Sequence, residues 1–250
     1  TSKKEPTSIN IDNPLDATRC NFRTSLKDSL VNKLLYNERR QKESIKLFEI
    51  SDIYTKDAKG NIIQQKHLGI IVSGRLADNY RDFSKNLDHK YLNLLMNRNL
   101  SPSIFNIIEI SRINLDTKRK KKIFYIETLF KDIPDDFFTD LAIEEKKINF
   151  ISYKPISDYP SSTRDFWFLI DNFRQLKKVT KKLDNVSDAI IKNSFTFDFY
   201  VNEKTQEIKL GHRFVFQSHY STLSDAEINA KVQEVLEPIL ELDGVSIPGM

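Results

Sequence analysis

The 250-residue sequence has one cysteine, Cys20. A disulfide framework needs paired cysteines and a cysteine-built zinc site needs several, so both are excluded. A lone thiol fits a reducing cytoplasm. Glycine is scarce as well, with six residues, which argues against a glycine-rich nucleotide-binding loop. The four histidines, His67, His89, His212 and His219, are scattered without metal-ligating spacing. No apolar run reaches the ~18 residues that a membrane-spanning helix requires. The opening Thr1-Ser-Lys-Lys-Glu-Pro6 has no initiator Met and no apolar signal segment, so we expect a piece of a longer polypeptide.

Apolar residues make up 39% of the chain, with 17 Phe and 9 Tyr, enough for a packed core. Lys and Arg total 39 against 35 Asp and Glu, a net charge of +4 that permits a polyanion partner without demanding one. The charge is uneven. Residues 1–150 hold 27 basic and 21 acidic side chains, while residues 151–250 hold 12 and 14. Pro155 and Pro160 bracket a polar stretch, which places a domain boundary near residue 150.

In the first half, Leu26, Leu30, Leu34 and Leu35 have helical spacing, with Ser25 as a candidate cap. Ile45–Tyr54 and Gln65–Val72 read as strands joined by a turn at Asp57–Gly60. Residues 78–97 carry Tyr80, Phe83, Leu87, Tyr91 and Leu94-Leu95, which predicts a second helix. Ile107–Leu115 and Ile123–Leu129 read as a hairpin around Asp116–Lys122. The run Lys118-Arg-Lys-Lys-Lys122 suits either a nucleic-acid patch or a solvated hairpin tip whose lysines discourage edge pairing.

In the second half, Phe166, Phe168 and Ile170 alternate against Trp167 and Leu169 in a strand. Asn172 can cap a helix striped with Phe173, Leu176, Val179, Leu183, Val186 and Ile190. Ser194–Val201 alternates Phe195, Phe197, Phe199 and Val201, the expected core row, against Thr196, Asp198 and Tyr200. The next strand sets Ile208, Leu210, His212, Phe214 and Phe216 on one side. Ser224-Asp-Ala-Glu227 is a capping box for a last helix, which Pro238 should kink or end. With Val245–Ile247 as a final strand, the order is β-α-β-β-α-β, a ferredoxin-like unit. On its first helix, Arg174, Lys177, Lys178, Lys181 and Lys182 cover the face opposite the apolar stripe. Such a face can follow a phosphate backbone or be an ordinary solvated surface.

Some of these residues resemble a known family. Lys154-Pro155, Tyr159-Pro160 and Arg164-Asp165 are similar to the opening of the ferredoxin-fold anticodon-binding domain of the bacterial phenylalanyl-tRNA synthetase β subunit. Phe197-Asp-Phe-Tyr200 resembles its Phe-Asp-x-Tyr, and Thr222-Leu-Ser-Asp-Ala-Glu-Ile-Asn229 its second-helix signature. Asn13-Pro14, Arg23-Thr-Ser-Leu26 and Leu47-Phe-Glu-Ile50 resemble the catalytic-like module of the same subunit. The sequence departs from the family at Leu210-Gly-His-Arg213, at its last residues, and in a shorter stretch over 95–122.

The resemblance implies an α+β chain. A class II synthetase-like antiparallel sheet with helices occupies 1–150, and an anticodon-binding ferredoxin-like domain occupies 151–250. It implies a part of a phenylalanine–tRNA ligase whose partners are tRNA(Phe) and a catalytic α subunit in an α2β2 assembly. ATP and Mg2+ would be held by the α subunit. The arginine-bearing class II motifs are missing here, since Thr55 follows the strand where an arginine is expected. No catalytic residue or cofactor is therefore expected in this chain. RNA contacts are expected at Tyr159, Arg164, Tyr200 and Arg213, ranked above Arg174, Lys178, Lys181 and Lys182 because they lie by the motifs. A free-standing RNA-binding module and a purely structural interaction protein are the alternatives.

Overall fold

A computed structural model describes residues 9–15, 20–99, 104–134 and 155–249. The boundary expected near residue 150, and Lys154 of the motif, lie outside these. The chain divides into two units, one of Thr1–Gly74 with Leu87–Asn149 and one of Arg75–Asn86 with Phe150–Met250. A twelve-residue segment of the first half therefore belongs to the second unit, which periodicity along the chain does not reveal.

In the first unit, β1 (Ile9–Asn10) and β2 (Asn21–Phe22) form a short ribbon. After them come α1 (Lys27–Arg39), β3 (Ser44–Lys56), β4 (Ile62–Gly74), α2 (His89–Asn99), β5 (Ile107–Ile110) and β6 (Ile123–Leu129). Strands β3 to β6 make an antiparallel sheet in the order β3-β4-β6-β5. Leu26, Leu30 and Leu34 are fully or almost fully buried, packed with Ile45, Ile53, Ile71, Ile123 and Tyr125. That apolar face is spent on its own sheet.

Other expectations are corrected as well. Ser25 is not the helix cap. The cap position is Leu26, which has no capping side chain. Ser25 Oγ instead accepts from Lys27 N at 3.1 Å and donates to Glu127 at 2.7 Å. Glu127 also accepts from Leu26 N at 3.3 Å, so a carboxylate from β6 sits at the positive end of the helix.

The helix expected over 78–97 begins only at His89. Asn79 Oδ1 accepts from the backbone N–H of Arg81 and Asp82, a side-chain turn that competes with helix. Asp88 Oδ1 accepts from Tyr91 N at 2.7 Å and starts the shorter helix.

The strand expected over 107–115 stops at Ile110. There Arg112 turns inward to the buried Glu38. In the basic loop that follows, Lys122 pairs with Glu109 at 2.9 Å and Arg119 with Glu43 at 3.7 Å. Asp116 pairs with Arg39 at 2.9 Å.

The second unit contains β7 (Ser162–Ile170), α3 (Phe173–Asp184), β8 (Ile191–Val201), β9 (Ile208–Phe216), α4 (Asp225–Leu240) and β10 (Val245–Ser246). The sheet is antiparallel in the order β10-β7-β9-β8, the ferredoxin-like arrangement. Asn172 caps α3 by accepting from Gln175 N, and the Ser224–Glu227 capping box is formed in both directions. Pro238 lies inside α4, which ends two residues later at Leu240. Phe168, Ile170, Ile208, Leu210, Phe214 and Phe216 meet Val179, Leu183, Ile228, Val232, Leu236 and Ile239 in one core.

Strand β8 overturns its predicted alternation. The register slips between Thr196 and Asp198, leaving Phe197 as an extra residue opposite β9. A one-residue insertion moves side chains to the other face. Phe199 and Val201 pack on the core, but Phe195 lies opposite Arg213, on the face turned away from the helices. Phe197 contacts Trp167 on that same face, with centroids 5.3 Å apart. Gly211 makes room for the bulge, because a Cβ there would lie 2.8 Å from Asp198 Cβ and 3.0 Å from the Phe197 ring.

Candidate nucleic-acid interface

The outward face of the second unit's sheet is aromatic and cationic. Arg213 and Asp165 are directly opposite on β9 and β7, joined by Nε–Oδ1 and Nη2–Oδ2 contacts of 2.6 Å each. Beside them lie Phe195, Phe197 and Trp167, the last 45% exposed. Arg75–Asn86 crosses this face as a strap. The Phe83 ring packs on Phe195 and Phe197, with centroids 5.7 and 5.2 Å away, and Tyr80 meets Phe199 at 5.7 Å. Arg75 stands 3.8 Å over the Phe83 ring and Arg213 stands 5.0 Å from it.

The structure divides the four residues ranked first as RNA contacts. Tyr200, opposite Lys209, and Arg213 share the outward face. Arg164 is opposite Phe214, on the helix-covered side, where it pairs with Asp225 at the start of α4. Tyr159 is 37% exposed, and its carbonyl accepts from Gln217. Both arginines of this group are thus held by carboxylates.

Helix α3 differs in that respect. Val179 and Leu183 are buried, and the opposite face carries Arg174, Lys177, Lys178, Lys181 and Lys182. Among the described residues, none of these five cations lies within ion-pair distance of an acidic side chain. Lys181 and Lys182 occupy the last turn, where the helix dipole favours positive charge.

The first unit holds a polar network built on the motif residues Arg23, Ser25 and Glu49. Arg23 reaches Glu49 at 2.5 Å, the Ser51 hydroxyl, and Asp52 O at 3.1 Å. Ser29 donates to Glu49 at 2.6 Å. Burial opposes the Glu49 charge, but the Ser29 and Arg23 hydrogen bonds leave its carboxyl below the ordinary value. Glu127 meets His67 at 3.0 Å and accepts from Tyr125. Burial, then the Glu127 carboxylate, pushes the Tyr125 hydroxyl up. The spacing of Arg23, Ser25 and Glu49 was the available signal, and its role here is to fasten α1 to the sheet.

Arg23 is committed to Glu49, and no group of three His, Cys, Asp or Glu side chains among the described residues is placed to hold a metal. Among the described residues, no helix is long and apolar enough to cross a membrane.

Residues 1–101 match the family described as the phenylalanyl tRNA synthetase beta chain CLM domain. Residues 157–247 match the ferredoxin-fold anticodon binding domain. A chloroplastic phenylalanine–tRNA ligase beta subunit of Pyropia yezoensis is 26% identical over 95% of this chain and 37% of its own length. The beta subunit of Mycoplasma capricolum is 26% identical over 94% and 32%. That of Legionella pneumophila is 25% identical over 91% and 31%. The chain spans about a third of the length of these relatives. With both domains matched in order, the chain belongs to the phenylalanyl-tRNA synthetase β-chain family.

Proposed function

We propose that this chain is the tRNA-binding, subunit-contacting part of a phenylalanine–tRNA ligase β subunit. In this reading the second unit binds the anticodon region of tRNA(Phe), and the first unit is an inactive class II-like scaffold for the catalytic α subunit. The α subunit binds phenylalanine, ATP and Mg2+ within an α2β2 assembly, in the cytoplasm. The chain alone then forms no aminoacyl-tRNA.

The observation that carries the RNA reading is the uncompensated basic face of α3 on a ferredoxin-like anticodon-binding domain. Phosphate contacts supply affinity and fix register, and lysines free of carboxylates make them at least cost. Arg213 and Arg164 must first leave Asp165 and Asp225. We therefore rank Arg174, Lys178, Lys181 and Lys182 above Arg164 and Arg213 as backbone contacts. Tyr159 and Tyr200 remain as exposed rings for stacking.

For the α subunit, Phe48 and Ile50 on edge strand β3 are the proposed contact, 72% and 45% exposed. An exposed apolar pair on a long sheet edge is a natural docking strand.

A salt titration of tRNA binding tests the RNA reading. Each phosphate partner lost lowers the slope of log K against log salt by about 1, so Lys178→Ala/Lys181→Ala/Lys182→Ala should lower it by about 3. An unchanged slope in the triple variant would exclude the helix face. Co-purification with a catalytic α subunit, lost in Phe48→Asp, tests the scaffold role.

A further inference from the structure

We propose that the strap Arg75–Asn86 is an intramolecular stand-in for RNA bases. It closes the stacking face of the second unit, and single-stranded RNA competes with it for that face. The inference rests on the reading that the second unit binds RNA, and adds to it how one face of that unit is regulated.

Unpaired bases are held by stacking on aromatic rings and on arginine planes. The groups that the sheet sets around Phe83 are of that kind: the Phe195 and Phe197 rings and the Arg213 guanidinium. A flat ring among two aromatics and a cation is what a bound base would present. The β8 bulge and Gly211 build this platform, turning Phe195 and Phe197 away from the helices.

The strap is made to leave. None of its residues is fully buried, and Tyr80 is 43% exposed. A segment with few buried apolar groups opens at low free-energy cost. Its ends are closed by its own bonds, Leu76 N to Lys85 O at 2.8 Å and an Arg75–Asn86 bridge. Asp82 and Phe83 both donate to Asn79 O. It can thus lift as one closed loop, giving up the ring contacts of Tyr80 and Phe83. Trp167 and Tyr200 stay exposed on the same face beside it, where an incoming base first lands.

The test uses the full chain and a 12-nucleotide oligouridine. Phe83→Ala should bind it about tenfold more tightly than the parent, the worth of one stacking contact, and adding Phe197→Ala should remove the gain. Trp167, the single tryptophan, reports fold integrity and RNA contact by its fluorescence. In the unaltered chain, hydrogen exchange at Leu76, Asp82 and Phe83 should speed up on saturation with RNA. This second measurement decides the matter if Phe83→Ala fails to fold. Equal or weaker binding by a folded Phe83→Ala, or strap exchange unchanged at saturation, overturns the proposal. If oligouridine binds neither form while tRNA binding still follows the α3 lysines, the strap inference alone fails. If no RNA binds at all, both readings fail.

Discussion

Arg213 grips both oxygens of Asp165 at 2.6 Å across the register that joins β9 to β7. Their side chains are 19% and 25% exposed, so the pair is partly shielded from water. A planar fork matched to a carboxylate makes this a structural clamp between neighbouring strands.

Arg213→Lys keeps the charge but loses the fork. We expect it to destabilise the second unit by about 1–2 kcal/mol, in line with a charge-assisted hydrogen bond. Urea unfolding followed by Trp167 emission measures this. In Arg213→Ala, which removes the charge, the salt slope of tRNA binding should not change, and a slope lowered by about 1 would show that Arg213 contacts phosphate after all.

His212 sits 4% exposed among core aromatics, with its ring 4.9 Å from Phe214. Burial lowers its pKa from 6.5 to about 4, against a smaller opposing effect of Asp184. The folded chain therefore binds this proton more weakly than the unfolded chain. Stability from neutral His212 is complete above about pH 6.5 and drains away as pH falls toward 4, by about 3 kcal/mol in all. His212→Leu should lose less stability than the parent over this window. Parallel pH profiles for the two proteins would contradict the assignment.

Glu38 and Arg112 form a pair 2.8 Å apart, with side chains 6% and 15% exposed. Thr117 and Ser73 complete the network. Arg112→Ala strands the Glu38 charge and should cost about 3 kcal/mol in the first unit, whereas Glu38→Leu/Arg112→Met should recover much of it. Thermal unfolding of the three proteins checks this, and a double variant no better than Arg112→Ala would refute it.

Gly211→Ala places a methyl group against the β8 bulge. The expected cost is about 1–3 kcal/mol, as for other overpacked sites. Phe197 must shift, so Trp167 emission should change even where the chain stays folded. A silent Gly211→Ala would mean that the bulge yields without strain.

The ferredoxin-like order was legible because its signals are local. Asn172 and the Ser224–Glu227 box cap helices wherever they occur, and the 3.6-residue stripe of Val179 and Leu183 needs one buried side. The basic face of α3 was legible for the same reason. The helix expected over 78–97 failed because Tyr80 and Phe83 have helical spacing for a non-helical cause. Their rings pack on strands more than a hundred residues away in the chain.

The sequence by itself determined the caps of α3 and α4, the apolar stripe of α3 and the position of its cations, all set by interactions within a few residues. Tertiary structure alone decided which charges were already matched and which face each aromatic serves. The Arg213–Asp165 clamp spans 48 residues, and the Glu38–Arg112 pair spans 74. The β8 bulge is a matter of pairing with β9, and one extra residue there reverses the faces of Phe195 and Phe197. Partners so distant in sequence are chosen by packing, which no local pattern encodes.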